Sequence, residues 1–419
     1  MEVAVRRRSL RLAARVIEHR FNADTSDYDG PGLPCPCGQT ARYVDRRFKS
    51  FESTLGELHL QRAYYHCSSC QKGFCPRDRA LGLAGTSLSP AVTRMIGTVA
   101  AMVSFGQGSD LLGELADVHV SAKQVERTGE ALGDEIDADE RQHFEPPTEG
   151  LIPSTLYLGL DGTGIPMRCS EVAGRTGKQA DGSAKTREGK LCTFWTAESR
   201  DKDGLPVRDQ GSVTYSAAIE SAATSDTDLQ RSEFAERVLR EATRRGLLQA
   251  PRQVALGDCA PWIWNIVTEL FPRAIQIADR FHVKQHLSDV AKAIFGPTSK
   301  SAQPWAQQRH TELDEGRLDD ILIALASHAS ACEQARQCVD YFQRNRYRMR
   351  YPEFHAQTLC TSSGVVEAGC KVAIGTRLKQ TGMHWTVPGA NAIIALRCCK
   401  LSGRFEDFWE RRSSRLKAA

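Results

Sequence analysis

The 419-residue chain lacks any long hydrophobic run. A membrane-spanning helix needs roughly 20 consecutive apolar residues, and a signal peptide needs an apolar segment that arginines do not interrupt as they do near this N-terminus. Neither is expected, and the protein is therefore expected to be cytoplasmic. Charge imbalance is small as well, since 55 Lys+Arg against 51 Asp+Glu give a formal net charge of +4. Bulk charge does not identify a nucleic-acid binder, but its distribution points that way. Basic clusters lie at Arg6–Arg8, at Arg346, Arg348 and Arg350, and at Arg411, Arg412, Arg415 and Lys417.

Two motifs for other chemistries are incomplete. Gly177-Lys178-Gln179 lacks the Ser or Thr of a phosphate-binding P-loop and has no evident helix after it, which excludes that mode of nucleotide binding. LDGTG suggests a haloacid-type phosphatase, but Gly159 stands where the nucleophile, two residues before Asp161, is required. Cysteine is not scarce. Five of the 14 fall early, at Cys35, Cys37, Cys67, Cys70 and Cys75. In a chain without a secretion signal this grouping favours metal over disulfides. Two tight pairs separated by strand-like sequence predict a zinc-ribbon-like module over 33–80, with Cys35, Cys37, Cys67 and Cys70 as Zn²⁺ ligands. Cys75 is a spare that could replace Cys67 or Cys70.

Length implies two to four units at roughly 100–200 residues per domain. Residues 1–32 read as an N-terminal helix with apolar positions Val3, Leu10, Ala13, Ala14, Ile17 and Phe21, then a polar linker. Residues 87–138 read as a helical DNA-binding region resembling a helix-turn-helix. Val118 and Val120 mark its turn, Ser121 caps its second helix, and Lys123, Gln124 and Arg127 face outward. Ordinary helical-bundle packing is the alternative. Pro146-Pro147 marks the boundary to a second region.

From 154 to 403 strands alternate with helices. TLYLGLD predicts a strand ending at Asp161, and KLCTFWTAES and SVTYSAAIES predict two more. A helix, the strand QVALGD ending at Asp258, another helix and the strand AIQIADRFHV follow. Three strands in a meander followed by β-α-β predict an α/β fold with a ribonuclease H-like mixed sheet, in which the first strand lies beside the fourth. Asp161 and Asp258, 97 positions apart, would then share a hard cation. A helical insertion spans about 283–350, and its YFQRNRYRMRYPEFH suits base stacking or a helix with tyrosines facing the core. Ser363 is expected to cap a helix carrying Glu367 and Lys371 on one face. The loop bearing Lys178, Lys185 and Arg187 is read as a DNA-contacting loop or as disorder. Arg377, Lys379, His384 and Trp385 form a later basic-aromatic group, of which Arg377, Lys379 and Trp385 are candidate DNA contacts, and 404–419 reads as a basic C-terminal tail.

The strings LGLDGTGIPMR, GRTGKQADGSAKTRE, LGDCAPWIWNI, SSGVVEAGCK and RLKQTGMHW, in this order, resemble bacterial insertion-sequence transposases of the ISKra type, a DDE group. CPCG, RAYYHC and CPRDRALGL resemble the N-terminal half of the same group, so the resemblance covers roughly the whole chain. It implies a ribonuclease H-like catalytic core with Asp161, Asp258 and Glu367 holding two Mg²⁺ or Mn²⁺ ions. It further implies DNA cleavage and strand transfer, double-stranded DNA at element ends and target as partner, and a homo-oligomer that synapses two ends. Asp279 and His282 match a D-x-x-H pattern found after the second acid in many such transposases, and a buried structural histidine is the alternative. Two other functions compete: a non-catalytic, sequence-specific DNA-binding regulator, and a ribonuclease H-like nuclease without strand transfer.

Overall fold

The computed structural model describes residues 1–148, 152–202, 204–223, 230–362 and 364–418. It divides into two compact units, residues 1–137 with 403–419 and residues 138–402. In the first, α1 (Glu2–Ala23) packs Ala14, Ile17 and Phe21 on Phe51, Leu58 and Leu60. Only the second half of the expected stripe is used, for Val3 is exposed. A four-stranded antiparallel sheet follows, β1 (Gly32–Pro34), β2 (Thr40–Ser53), β3 (Gly56–His66) and β4 (Gly73–Phe74), with β2 and β3 joined by a two-residue turn. In α2 (Pro76–Ala80), the buried Arg77 donates to the carbonyls of Phe21 and Asp24, which fastens the end of α1.

Three helices complete this stretch, α3 (Pro90–Met102), α4 (Phe105–Ala116) and α5 (Ala122–Gln142). Each start follows from local chemistry. Ser89 accepts from the Val92 amide with Pro90 in the first turn, and Ser104 and Gln107 form a capping box. Ser121 and Gln124 form another: the Gln124 amide donates to Ser121 Oγ at 3.2 Å and the Ser121 amide to Gln124 Oε1 at 2.9 Å. Asp117 turns the chain with a left-handed backbone, and Val118 and Val120 bury themselves between α4 and α5.

The second unit is built on β5 (Thr155–Pro166), followed by α6 (Cys169–Val172), β6 (Thr186–Trp195), β7 (Thr214–Ala218), α7 (Glu233–Arg245), β8 (Arg252–Gly257), α8 (Pro261–Leu270) and β9 (Ile275–Ala278). The sheet order is β7-β6-β5-β8-β9, antiparallel from β7 to β5 and parallel from β5 to β9, so the first strand does lie beside the fourth. Strand alternation splits β5 between two cores. Leu156, Leu158 and Leu160 pack with α7 and α8, whereas Tyr157 packs on the opposite face with Trp195 and the helices that follow.

Those helices are α9 (Arg280–Phe295), α10 (Ala302–Asp314), α11 (Leu318–Ala326), α12 (Glu333–Asn345), a 3₁₀ turn at Arg346–Arg348 and α13 (Tyr351–Ala356). Then come α14 (Gly364–Gly369), a π-helical segment at Cys370–Gly375, α15 (Thr376–Leu378) and α16 (Val387–Leu401). The last helix, α17 (Phe405–Ala418), belongs to the first unit.

Several expectations need correction. The first strand does not end at Asp161 but runs on to Pro166, because β6 keeps pairing with it through Thr186. The stretch DRFHV is not strand: Asp279 caps α9, accepting from the Phe281 amide at 2.8 Å, and so starts a helix. Residues 404–419 are not a tail over their described length, since Phe405, Phe408 and Trp409 are buried. In the Tyr/Arg stretch, Tyr351 faces the core and Arg348 is buried 4.3 Å from the Trp264 ring, while Tyr347 is half exposed. Ser363, the expected cap of α14, lies outside the described residues.

Candidate active site and metal centre

Parallel pairing of β5 with β8 ends at Leu160 opposite Gly257. The next residue on each strand is Asp161 and Asp258, so strand register alone makes the two carboxylates neighbours. Beyond Gly257 the chain turns through Cys259, whose φ of +69° is left-handed, and Asp258 Oδ1 accepts from the Ala260 amide at 3.0 Å. Asp161 Oδ1 accepts from the Gly162 amide at 2.7 Å. Burial pushes the Asp161 carboxyl up, the charge of Asp258 adds to this, and the Cys370 thiol, the Gly162 amide and His282 oppose it.

The third parallel strand adds another acid. The Asp279 amide donates to the Gly257 carbonyl at 2.9 Å, which sets Asp279 beside the end of β8. Asp279 is buried, with Oδ2 3.7 Å from His282 Nε2. Acids at the carboxyl ends of adjacent parallel strands occupy the usual ligand crevice of α/β sheets.

Glycine decides where Glu367 can lie. On the Asp161 face of β5, a Cβ at Gly159 would meet Val366 Cγ2 at 2.1 Å and Trp195 Cζ3 at 3.0 Å. A Cβ at Gly369 would meet Leu191 Cδ2 at 2.9 Å. The bare backbone at both positions lets α14 lie across β5 and β6, with Val366 buried and Glu367 exposed. Immediately after Glu367's turn the helix widens to π geometry, a feature that often marks functional sites. Cys370, buried in that segment, hydrogen-bonds Asp161, and burial and the Asp161 charge push its thiol well up. Sequence reasoning missed this residue. Its one available signal was its place one helical turn after Glu367.

Gly159→Val is expected to destabilise the chain by about 1–3 kcal/mol through overpacking and to cut any strand-cleaving activity with it, by displacing α14. Urea unfolding beside a cleavage assay measures both, and an unchanged midpoint would show that α14 is not seated by Gly159.

The later basic-aromatic group is divided by burial. Arg377 is fully buried with its guanidinium 5.3 Å from the Trp385 ring, burial lowers it to about 10, and the Trp385 indole donates to the Leu378 carbonyl at 3.0 Å. The expectation that Arg377 and Trp385 present a DNA-facing surface is corrected, because both are packing residues. Lys379 stays exposed and donates to Thr163 Oγ1, two residues beyond Asp161. His384 Nδ1 lies 3.3 Å from the Met167 carbonyl, and the Trp385 amide donates to the Pro166 carbonyl at 3.1 Å, so this segment runs along the end of β5. The 174–185 loop is a small hydrogen-bonded turn, with the Gly177 amide on the Gly182 carbonyl at 2.8 Å and the Ala184 amide on the Arg175 carbonyl at 3.1 Å. Lys178 and Lys185 are exposed on it, and Arg187 is half-buried at the start of β6. Lys123, Gln124 and Arg127 are exposed at the start of α5.

In the first unit, Cys35 and Cys37 follow β1 while Cys67 and Cys70 lie between β3 and β4. The Gly38 amide bonds the Cys35 carbonyl at 2.9 Å and the Cys67 amide the Lys72 carbonyl at 2.9 Å, closing two tight knuckles. Gly38 and Gln71 supply the left-handed residues, at φ +83° and +59°. The four sulfurs lie within 4.8 Å of one another, Cys35 to Cys70 at 3.6 Å and Cys37 to Cys67 at 3.7 Å. Amides of Cys70 and Ser69 draw the Cys67 thiol down to about 6. Four convergent sulfurs, one already favouring thiolate, fit Zn²⁺. Cys75 is not among them; it is buried beside Arg62 and Asp78, and burial pushes its thiol up. Among the described residues this is the one group of three or more His, Cys, Asp or Glu gathered so tightly, and the three acids are not drawn together to that distance.

No protein-family model and no curated sequence matches the chain. Among solved structures, it is similar to the Drosophila P element transposase strand transfer complex at 12% identity and a TM-score of 0.27, over 80% of this chain and 84% of that one. No helix among the described residues is long and apolar enough to cross a membrane.

Proposed function

We propose that the chain is a transposase of a bacterial insertion sequence of the ISKra type, which cleaves and joins DNA strands at a carboxylate site formed by Asp161, Asp258 and Glu367. The observation that carries this reading is the adjacency of Asp161 and Asp258 at the end of the β5/β8 pairing, with α14 seated over Gly159 on the same face. The sheet order, three antiparallel strands followed by two parallel ones with helices on both faces, supports a ribonuclease H-like core.

The donor set suits hard divalent cations, being carboxylate oxygens, and the upward push that Asp258 exerts on Asp161 is the repulsion a cation would relieve. Asp161 and Asp258 would hold Mg²⁺ or Mn²⁺, with Glu367 approaching from α14. When bound, two such ions polarise the scissile phosphate and lower the pKa of the attacking water or 3′-hydroxyl. The chain's own residues do the rest. Asp161 is half-buried, the Cys370 thiol and Gly162 amide orient its carboxylate, and exposed Lys379 beside Thr163 offers a positive charge to a phosphate. The cysteine cluster would hold a structural Zn²⁺. Pairing two element ends requires at least two copies of the chain.

The test is incubation of linear DNA carrying the flanking element ends with wild type and Asp258→Asn, with and without Mg²⁺ or Mn²⁺. Cleaved and strand-joined products are expected from wild type with metal alone. Cleavage without joining would favour a nuclease, and equal cleavage by Asp258→Asn would remove the proposed site.

A further inference from the structure

We propose that a groove in the N-terminal unit binds the phosphodiester backbone of duplex DNA through Arg79, Arg127 and Arg412. The groove has a volume of about 680 Å³ and is lined by Pro36 of the first cysteine knuckle, the Gly82–Thr86 turn, α3, α5 and α17. Three positions far apart in sequence thus bring guanidinium groups to one surface. Against them stands a single lining carboxylate, Glu135, leaving a local excess of two positive charges (3 − 1).

Two of the arginines are held in place by packing. Arg79 lies 5.0 Å from the Phe74 ring, and Arg412 lies 5.0 Å from the Trp409 ring while pairing with Glu135 Oε2 at 2.6 Å. Ordering them in advance lowers the entropy cost of binding. Arg127 is exposed on α5; Lys123, one turn earlier, is paired with Glu126 Oε2 at 2.8 Å and adds no net charge to the groove. Hydroxyls add a second kind of phosphate donor. Thr86 Oγ1 accepts from the Leu88 amide at 3.1 Å and keeps its own proton to donate, and Thr128 also lines the groove. Gly85, at φ +70° with nothing within 4 Å of an added Cβ, leaves backbone open to a close-approaching chain.

The arrangement favours a polymer over a free anion. A small-anion pocket converges buried donors on one point, whereas these donors are half-buried or exposed and come from separate elements. None of them reads bases, so the groove supplies affinity and register, not sequence preference.

This inference rests on the reading of the chain as acting on DNA, but not on the three acids, which belong to the other unit. The test uses the full chain and a fluorescein-labelled duplex of about 30 base pairs, by anisotropy without added divalent ions at about 50–200 mM KCl. Arg79→Gln with Arg127→Gln is expected to weaken binding by roughly tenfold and to flatten the slope of log K against log salt by about 2. Glu135→Gln is expected to tighten binding by releasing Arg412, a gain that a misfolded variant could not produce. An unchanged affinity and slope in the double variant with an unchanged melting temperature, or weaker binding by Glu135→Gln, would overturn the groove. A wild-type chain that binds no duplex overturns the DNA reading as well.

Discussion

Asp161→Asn is expected to lower metal-dependent strand cleavage by at least about 10³-fold, equivalent to about 4 kcal/mol of transition-state stabilisation, while duplex binding is retained. The amide keeps the shape of the side chain and the acceptor for the Gly162 amide but removes the charge a cation needs. The same substitution is expected to make the metal-free chain more stable, and the sign follows from the raised carboxyl. In the folded chain Asp161 holds its proton to higher pH than in the unfolded chain, where the ordinary value is about 3.9. The stability this contributes is present below that ordinary value and is lost as pH rises through the raised folded one. Asparagine escapes the loss, so its advantage in melting temperature should be small near about pH 4 and larger near about pH 7.5. Added Mg²⁺ or Mn²⁺ should raise the melting temperature of wild type and leave Asp161→Asn unmoved, since only an ion that binds the folded state stabilises it. Melting curves at the two pH values, with and without metal, supply all four comparisons. A variant less stable than wild type at the higher pH would mean that Asp161 is paired in solution and not a carboxylate awaiting a cation.

Loss of zinc is expected to have the largest effect on folding. Zinc contributes apparent free energies of about 10–16 kcal/mol in small structural sites, comparable to the whole stability of a domain. At the cysteine end the sheet is narrow, with β1 and β4 spanning three and two residues, and the core there is small: Ala41, Ala63, Tyr65, Cys35 and Cys67, with Leu33, Tyr43, Cys70 and Phe74 packed against them. Cys37→Ser together with Cys67→Ser should therefore abolish zinc in the purified protein and expose the β1–β4 amides to hydrogen exchange. Cys75→Ser should leave both unchanged, because its sulfur lies outside the cluster. Zinc retained by the double variant would place the metal elsewhere. Protection unchanged despite zinc loss would make the cluster a set of packed thiols.

The cysteine module shows how much local pattern can carry. Two spaced pairs, a glycine after the first and strand-like sequence between them are all local features, and the knuckles they predict are those observed. The start of α5 was legible for the same reason, since Ser121 caps through a side chain three residues from the amide it serves. Boundaries at Pro166 and Asp279 were not. A strand end depends on whether a neighbour goes on pairing, and the role of Asp279 depends on the turn that β8 imposes.

What the sequence determined by itself was which residue types were on offer and in what order: two acids each following an apolar strand-forming run, four thiols in two pairs, and a serine cap before a helix. Only the tertiary structure decided which of these meet. It made Asp161 and Asp258 neighbours through strand register, brought Cys370 to Asp161, and buried Arg377 against Trp385. It also seated α14 in the space left by Gly159, a residue whose importance is the side chain it lacks. The physical reason is that capping and knuckle turns act over a few residues of chain, whereas register, burial and the meeting of separate ligands depend on segments tens to hundreds of residues apart.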